Sequence, residues 1–186
     1  MKKRGMTTMQ IHQLTYAALY LAIAQALPFI TGQIPEIGAM LCPMHIPALL
    51  CGFMCGWPWG LAVGFIAPLL RGVLFGMPVL FPTAVAMAFE LSVYGGMAGW
   101  LYHVLPRKKW MIYAVLVLAM VAGRLVWGAV HLILAGLTGS EFTIALFLAG
   151  AVTNALPGIV LQLVLIPPLV MAMDRAGLSM NQQTIV

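Results

Sequence analysis

From Trp110 to Leu137 the chain carries a single Lys, Arg, Asp or Glu, which is Arg124. At ~1.5 Å rise per residue a helix of that length exceeds the ~30 Å hydrocarbon core of a bilayer. Its apolar side chains fall on every side, so no flank is left to face water. The rest of the chain is built the same way. Charged residues make up 7% of 186, against roughly a quarter in a soluble domain, so a hydrated shell cannot be assembled and the outer surface must face lipid.

Apolar segments separated by Gly, Pro and charged breaks cover about 13–30, 41–55, 59–75, 81–102, 110–137 and 142–173. They predict an all-α, single-domain integral membrane bundle over 1–186, with six transmembrane helices. Segment two is too short to span upright and contains Pro43, Pro47 and Gly52. It is expected either to tilt within the bundle or to be irregular and shielded by protein. Pro157 is expected to kink segment six, and Pro167 and Pro168 mark its final turns.

Charge placement orients the bundle. Lys2, Lys3, Arg4, Arg107, Lys108, Lys109 and Arg175 all flank ends that lie on one side if the N-terminus is cytoplasmic. The loops on the other side carry Glu36 and Glu141 and no Lys or Arg, so the positive-inside rule puts both termini in the cytoplasm. Trp57, Trp59, Trp100, Tyr102 and Trp110 fall at the same inner interface. A cleaved signal peptide ending at Ala24-Gln25-Ala26 is an alternative reading of the first segment. The net charge of +5 sits in these flanks and not in a stripe with interleaved aromatics, so no nucleic-acid partner is expected.

Few ionisable groups remain at membrane depth: Arg71, Glu90, Arg124, His131 and, at the edge, His45. Such groups are costly in hydrocarbon and face a partner or a polar cavity. Arg124, Trp127 and His131 share a helix face, Glu90 and Tyr94 form an i,i+4 pair, and Asn154, Gly158 and Gln162 share another face. These faces are expected to converge in the outer half of the bundle. Two Arg against one Glu leave a positive excess that suits a carboxylate ligand. The alternatives are a structural Arg71–Glu90 ion pair and helix-to-helix packing by Tyr94, Trp127 and Asn154.

Chemistry on the chain itself is not indicated. There is no G-x-S-x-G, H-E-x-x-H or phosphate-binding G-x-x-x-x-G-K-[ST]. Cys51 and Cys55 share a face, but no His or carboxylate completes a metal set. The reading is therefore not an enzyme, with no cofactor and no metal.

Three stretches carry a resemblance. They are Cys42-Pro-Met-His-Ile-Pro-Ala-Leu-Leu-Cys-Gly-Phe-Met-Cys-Gly56, Gly60-Leu-Ala-Val-Gly-Phe-Ile-Ala-Pro-Leu-Leu-Arg71, and Phe75-Gly-Met-Pro-Val-Leu-Phe-Pro-Thr-Ala-Val-Ala-Met-Ala-Phe-Glu90, followed by Tyr94-Gly95. This region, residues 42–100, resembles the substrate-binding subunits of energy-coupling factor (ECF) transporters. The resemblance implies a multi-pass subunit of a bacterial cell membrane that captures a vitamin outside. It also implies a membrane coupling protein and two cytoplasmic ATPases as partners. The segment after helix one, with Gly32, Glu36 and Gly38, matches the family's lid over the ligand. Ala18, Ala22 and Ala26 match the small-residue stripe that meets the coupling protein, and small residues at i,i+4 do permit close helix approach in lipid. Pantothenate is the first ligand expected, because the H-I-P and G-M-P-x-x-F-P segments look closest to that group; biotin and lipoate are the other anionic candidates, and riboflavin, pyridoxine-type vitamins and cobalamin stay open. A six-span scaffold without a ligand, and a small self-contained transporter, are the competing functions.

Overall fold

The computed structural model describes residues 8–30, 41–106, 108–139, 143, 149–150 and 155–179. Among them lie six α-helices: α1 (Thr8–Ile30), α2 (His45–Cys55), α3 (Trp57–Phe75), α4 (Val85–Val104), α5 (Lys109–Thr138) and α6 (Leu156–Arg175). A wide helical turn, Leu80–Ala84, leads into α4 and is interrupted at Phe81, which is extended at φ −127° and ψ 132°. Four stretches are long and apolar enough to cross a membrane: α3, Leu80–Val104, α5 and α6. α1 matches them in length with 23 residues.

With 11 residues, α2 rises only ~16 Å, about half the hydrocarbon core. All of its residues are buried. The segment is shielded by protein, as expected, but as a regular helix and not as irregular chain. Its neighbours supply the shield because glycines let their backbones close in. A Cβ on Gly60 of α3 would lie 2.5 Å from the Gly95 carbonyl oxygen of α4 and 2.6 Å from Gly52 Cα of α2. Three helix backbones therefore touch at one node. In lipid, where apolar burial gives no net drive between helices, such close packing is what holds them together. The node also sets the register of the antiparallel pair α3–α4: Gly60 lies against Gly95, and Gly64 against Leu91.

Segment six differs from expectation. Pro157 does not kink a helix among the described residues; it falls in the first turn of α6, where its missing N–H has no bond to lose. Pro167 and Pro168 lie inside α6, which continues to Arg175.

The two ends of the bundle differ in chemistry. One end carries Lys108, Lys109 and Arg175 and is closed by side-chain bonds. There Gln13 Nε2 donates to the Cys55 carbonyl and Trp59 Nε1 donates to Gln13 Oε1, each at 3.3 Å. The Tyr102 hydroxyl donates to the Asp174 carboxylate. Above this basic end, Phe53, Met54, Leu116 and Ile166 form a fully buried apolar layer. The outward faces are as apolar as the core, with Leu118, Val121, Leu125 and Leu132 on α5 and Val160 and Val164 on α6 all exposed. A surface of that kind belongs in lipid.

Candidate functional site

Beyond the apolar layer, away from the basic end, the bundle buries a polar cluster. Glu90 sits on α4, held between α2 and α5 by the packing that fixes α4 on the glycine node. Its Oε1 lies 3.0 Å from Arg124 Nη1 of α5 and 3.4 Å from His45 Nε2 at the start of α2. The side chains of Glu90 and His45 are 1% and 2% exposed, and that of Arg124 is 14% exposed. A second arm of the guanidinium, Nη2, reaches Cys42 Sγ at 3.6 Å. Tyr94, one turn after Glu90, packs edge-on to His45 with ring centroids 5.1 Å apart. Gly123 makes room for it, since a Cβ there would come within 2.8 Å of the Tyr94 ring.

The cluster has charges in contact but hydrogen bonds unmade. Glu90 Oε1, Arg124 Nε and both ring nitrogens of His45 are buried without a hydrogen-bond partner among the described residues. The 3.0 Å contact of Arg124 with Glu90 is thus an ion pair, and the 3.4 Å contact of His45 a polar one, whose angles fall short of hydrogen bonds. Each buried polar atom left unmatched costs ~1–3 kcal/mol. Several on facing side chains, some donors and some acceptors, make a surface chemically suited to a small polar molecule.

Trp127 and His131 continue the Arg124 face of α5 away from the basic end. Their rings stand 4.2 Å apart at 45°. His131 Nδ1 lies 3.1 Å from the Trp127 carbonyl oxygen; a carbonyl only accepts, so this nitrogen is the donor. The Trp127 ring in turn rests on Gly150, where a Cβ would approach within 2.6 Å.

Arg71 is elsewhere. In the α3–α4 register it stands level with about Ala84, six residues or ~9 Å along the axis from Glu90. Its Nη1 donates to the Gln25 carbonyl of α1 at 2.6 Å. Its guanidinium lies 5.0 Å from the Phe29 ring centroid and 5.1 Å from that of Phe75. Gln25 Nε2 reciprocates by donating to the Ala67 carbonyl at 3.0 Å. The expectation that Arg71 pairs with Glu90, or joins Arg124 in one positive chamber, is corrected: Glu90 has Arg124 and His45, and Arg71 pins α1 to α3.

Of the residues expected from sequence, Glu90, Tyr94 and Arg124 meet, Trp127 and His131 extend their face, and Arg71 is separate. Asn154 and the lid residues Gly32, Glu36 and Gly38 lie outside the described residues. His45 and Cys42 join the cluster without having been assigned to it. His45 left a signal, being the only Lys, Arg, Asp, Glu or His in segment two, whereas Cys42 left none.

Searches among curated proteins and among solved structures return no match. One family model does match, over residues 12–170, and it describes the substrate-specific component of ECF transporters. That interval runs from the second turn of α1 to the last turns of α6, and so includes the glycine node and every residue of the polar cluster. Apolar helices suited to a membrane and a buried polar site at one end agree with it, and the chain belongs to the family of ECF transporter substrate-specific components.

Proposed function

We propose that this multi-pass membrane protein is the capture subunit of an ECF-type importer, and that it holds a vitamin-sized molecule at Glu90, Arg124, His45 and Tyr94. The observation that carries the reading is the set of unmatched buried polar atoms on Glu90, Arg124 and His45. Trp127, His131 and Asn154 complete the proposed site, and the segment bearing Gly32, Glu36 and Gly38 covers it from outside. In this reading both termini face the cytoplasm, the chain makes six passes with α2 as a short one shielded by protein, and the basic end is the inner end, in keeping with Lys108, Lys109 and Arg175 there.

Docking to the coupling protein is assigned to Ala18, Ala22 and Ala26. All three are exposed on α1, on the face opposite Gln13, Ala17, Tyr20 and Ala24, which are buried. That separation supports an outward seam of small residues open to a partner helix. The two cytoplasmic ATPases of such importers supply the energy, consistent with the lack of a phosphate-binding loop here.

One observation favours the scaffold reading: Arg124 has an internal partner in Glu90. A purely structural pair in lipid is expected to close its hydrogen bonds, and this one leaves Arg124 Nε and Glu90 Oε1 open among the described residues. A self-contained channel is disfavoured by the apolar layer of Phe53, Met54, Leu116 and Ile166 between the cluster and the basic end. An anionic ligand was expected from a surplus of buried positive charge, with pantothenate placed first by the resemblance. With Arg71 turned to Gln25, that premise is weakened, and pantothenate becomes one compound in the screen. The test is thermal-shift screening of the purified chain against a vitamin panel. Stabilisation by one compound supports capture, and a flat response across the panel speaks for the scaffold.

A further inference from the structure

Resting on the capture reading above, we infer that the ligand is electrically neutral or zwitterionic when bound, with a hydrogen-bond acceptor and a donor close together. Of the nine Lys and Arg residues, Lys108, Lys109 and Arg175 lie at the basic end, and Lys2, Lys3, Arg4 and Arg107 flank its helices in sequence. Only Arg71 and Arg124 are left to meet an anion. Arg71 is 3% exposed, bonded to the Gln25 carbonyl and flanked by the Phe29 and Phe75 rings. Arg124 is already opposite Glu90 at 3.0 Å. The two permanently charged members of the cluster, Glu90 and Arg124, sum to zero.

A ligand with one net negative charge would then enter a buried, low-dielectric site with no uncommitted Lys or Arg to balance it. It would have either to remain unpaired or to displace Glu90 from Arg124 and strand that carboxylate, and both are strongly unfavourable. A cation meets the same obstacle in reverse, because taking Glu90 strands Arg124. A neutral molecule with paired donor and acceptor meets neither. Its acceptor satisfies Arg124 Nε, its donor satisfies Glu90 Oε1, and His45 can serve either kind of partner. The ion pair stays intact beneath it.

The experiment uses the full chain purified in mild detergent. Small molecules that co-purify are extracted and identified by mass spectrometry, and their net charge near neutral pH is taken from their structures. In parallel, binding is compared within matched pairs that differ by one carboxylate: panthenol and pantothenate, nicotinamide and nicotinate, biotinamide and biotin, lipoamide and lipoate. A neutral or zwitterionic co-purified molecule, or preference for the uncharged member of the pair that binds by on the order of tenfold or more, supports the inference. A net-charged co-purified ligand, or preference for the carboxylate, overturns it while leaving capture intact. No ligand and no binding in any pair removes the capture reading and this inference with it.

Glu90→Gln gives the second arm. It leaves Arg124 uncompensated and should shift preference toward the carboxylate member of the pair; unchanged preference counts against the inference. Should that variant not fold, Glu90→Gln with Arg124→Gln again sums to zero. It should still discriminate against the carboxylate, though binding more weakly, and acceptance of both members equally would refute the charge argument.

Discussion

Replacing Arg124 with methionine keeps most of the side-chain stem and removes the charge. Glu90, 1% exposed, is then left buried beside His45 alone. Breaking a buried ion pair by deleting one partner costs ~3–5 kcal/mol, whereas replacing both members by uncharged groups is close to neutral. Glu90→Gln should cost a similar amount on its own. The double variant should then return to within ~1–2 kcal/mol of the parent, because no charge is stranded. The coupling in that cycle is therefore expected at ~3 kcal/mol or more. The same cycle on Glu90 and Arg71 should be additive within ~0.5 kcal/mol, since residues ~9 Å apart without a shared partner rarely couple. Unfolding of the purified variants in detergent, followed by tryptophan fluorescence, measures both cycles. Strong coupling of Glu90 to Arg71, or additivity with Arg124, would refute the assignment of partners.

Three further outcomes follow from the packing. Gly60→Val and Gly95→Leu should prevent recovery of monodisperse protein, because each Cβ meets backbone at the node, while Gly96→Ala, with nearest contacts at 3.6 Å to the Leu61 side chain, should be tolerated within ~0.5 kcal/mol. Arg71→Met should lower stability by ~2–4 kcal/mol, through the lost charged hydrogen bond and two ring contacts, yet change ligand affinity less than about threefold; titration of the bound ligand checks the second part. Ala22→Trp should block assembly with the coupling protein in a pull-down and leave ligand binding intact, since Ala22 is exposed on α1 away from the core.

Hydropathy and charge placement located the helices because both are properties of a single segment. The same holds for Glu90, Tyr94 and Arg124, which stand out as polar groups at depth in apolar runs. What one segment cannot reveal is its neighbour. Spacing puts Arg124 and His131 on one face, but the glycine node at Gly52, Gly60 and Gly95 sets how far α4 slides along α3. That slide separates Arg71 from Glu90. The aromatic clasp of Phe29 and Phe75 around Arg71 was hidden for a related reason, because cation–π partners carry no charge and so do not register in a count of ions. Cys42 could be placed beside Arg124 only once its neighbours were known. At Pro157 the sequence leaves the choice open, because a proline inside an apolar run reads alike whether it kinks a helix or opens one.

Binding of the best ligand from the vitamin panel, titrated into the parent and into the Glu90→Gln/Arg124→Met double variant, tests the central assignment most directly. The double variant removes the polar cluster without stranding a charge, so its unfolding midpoint serves as the control for folding. A folded double variant whose affinity falls by on the order of tenfold or more is expected. A folded double variant that binds as tightly as the parent would contradict it and move the site away from Glu90 and Arg124.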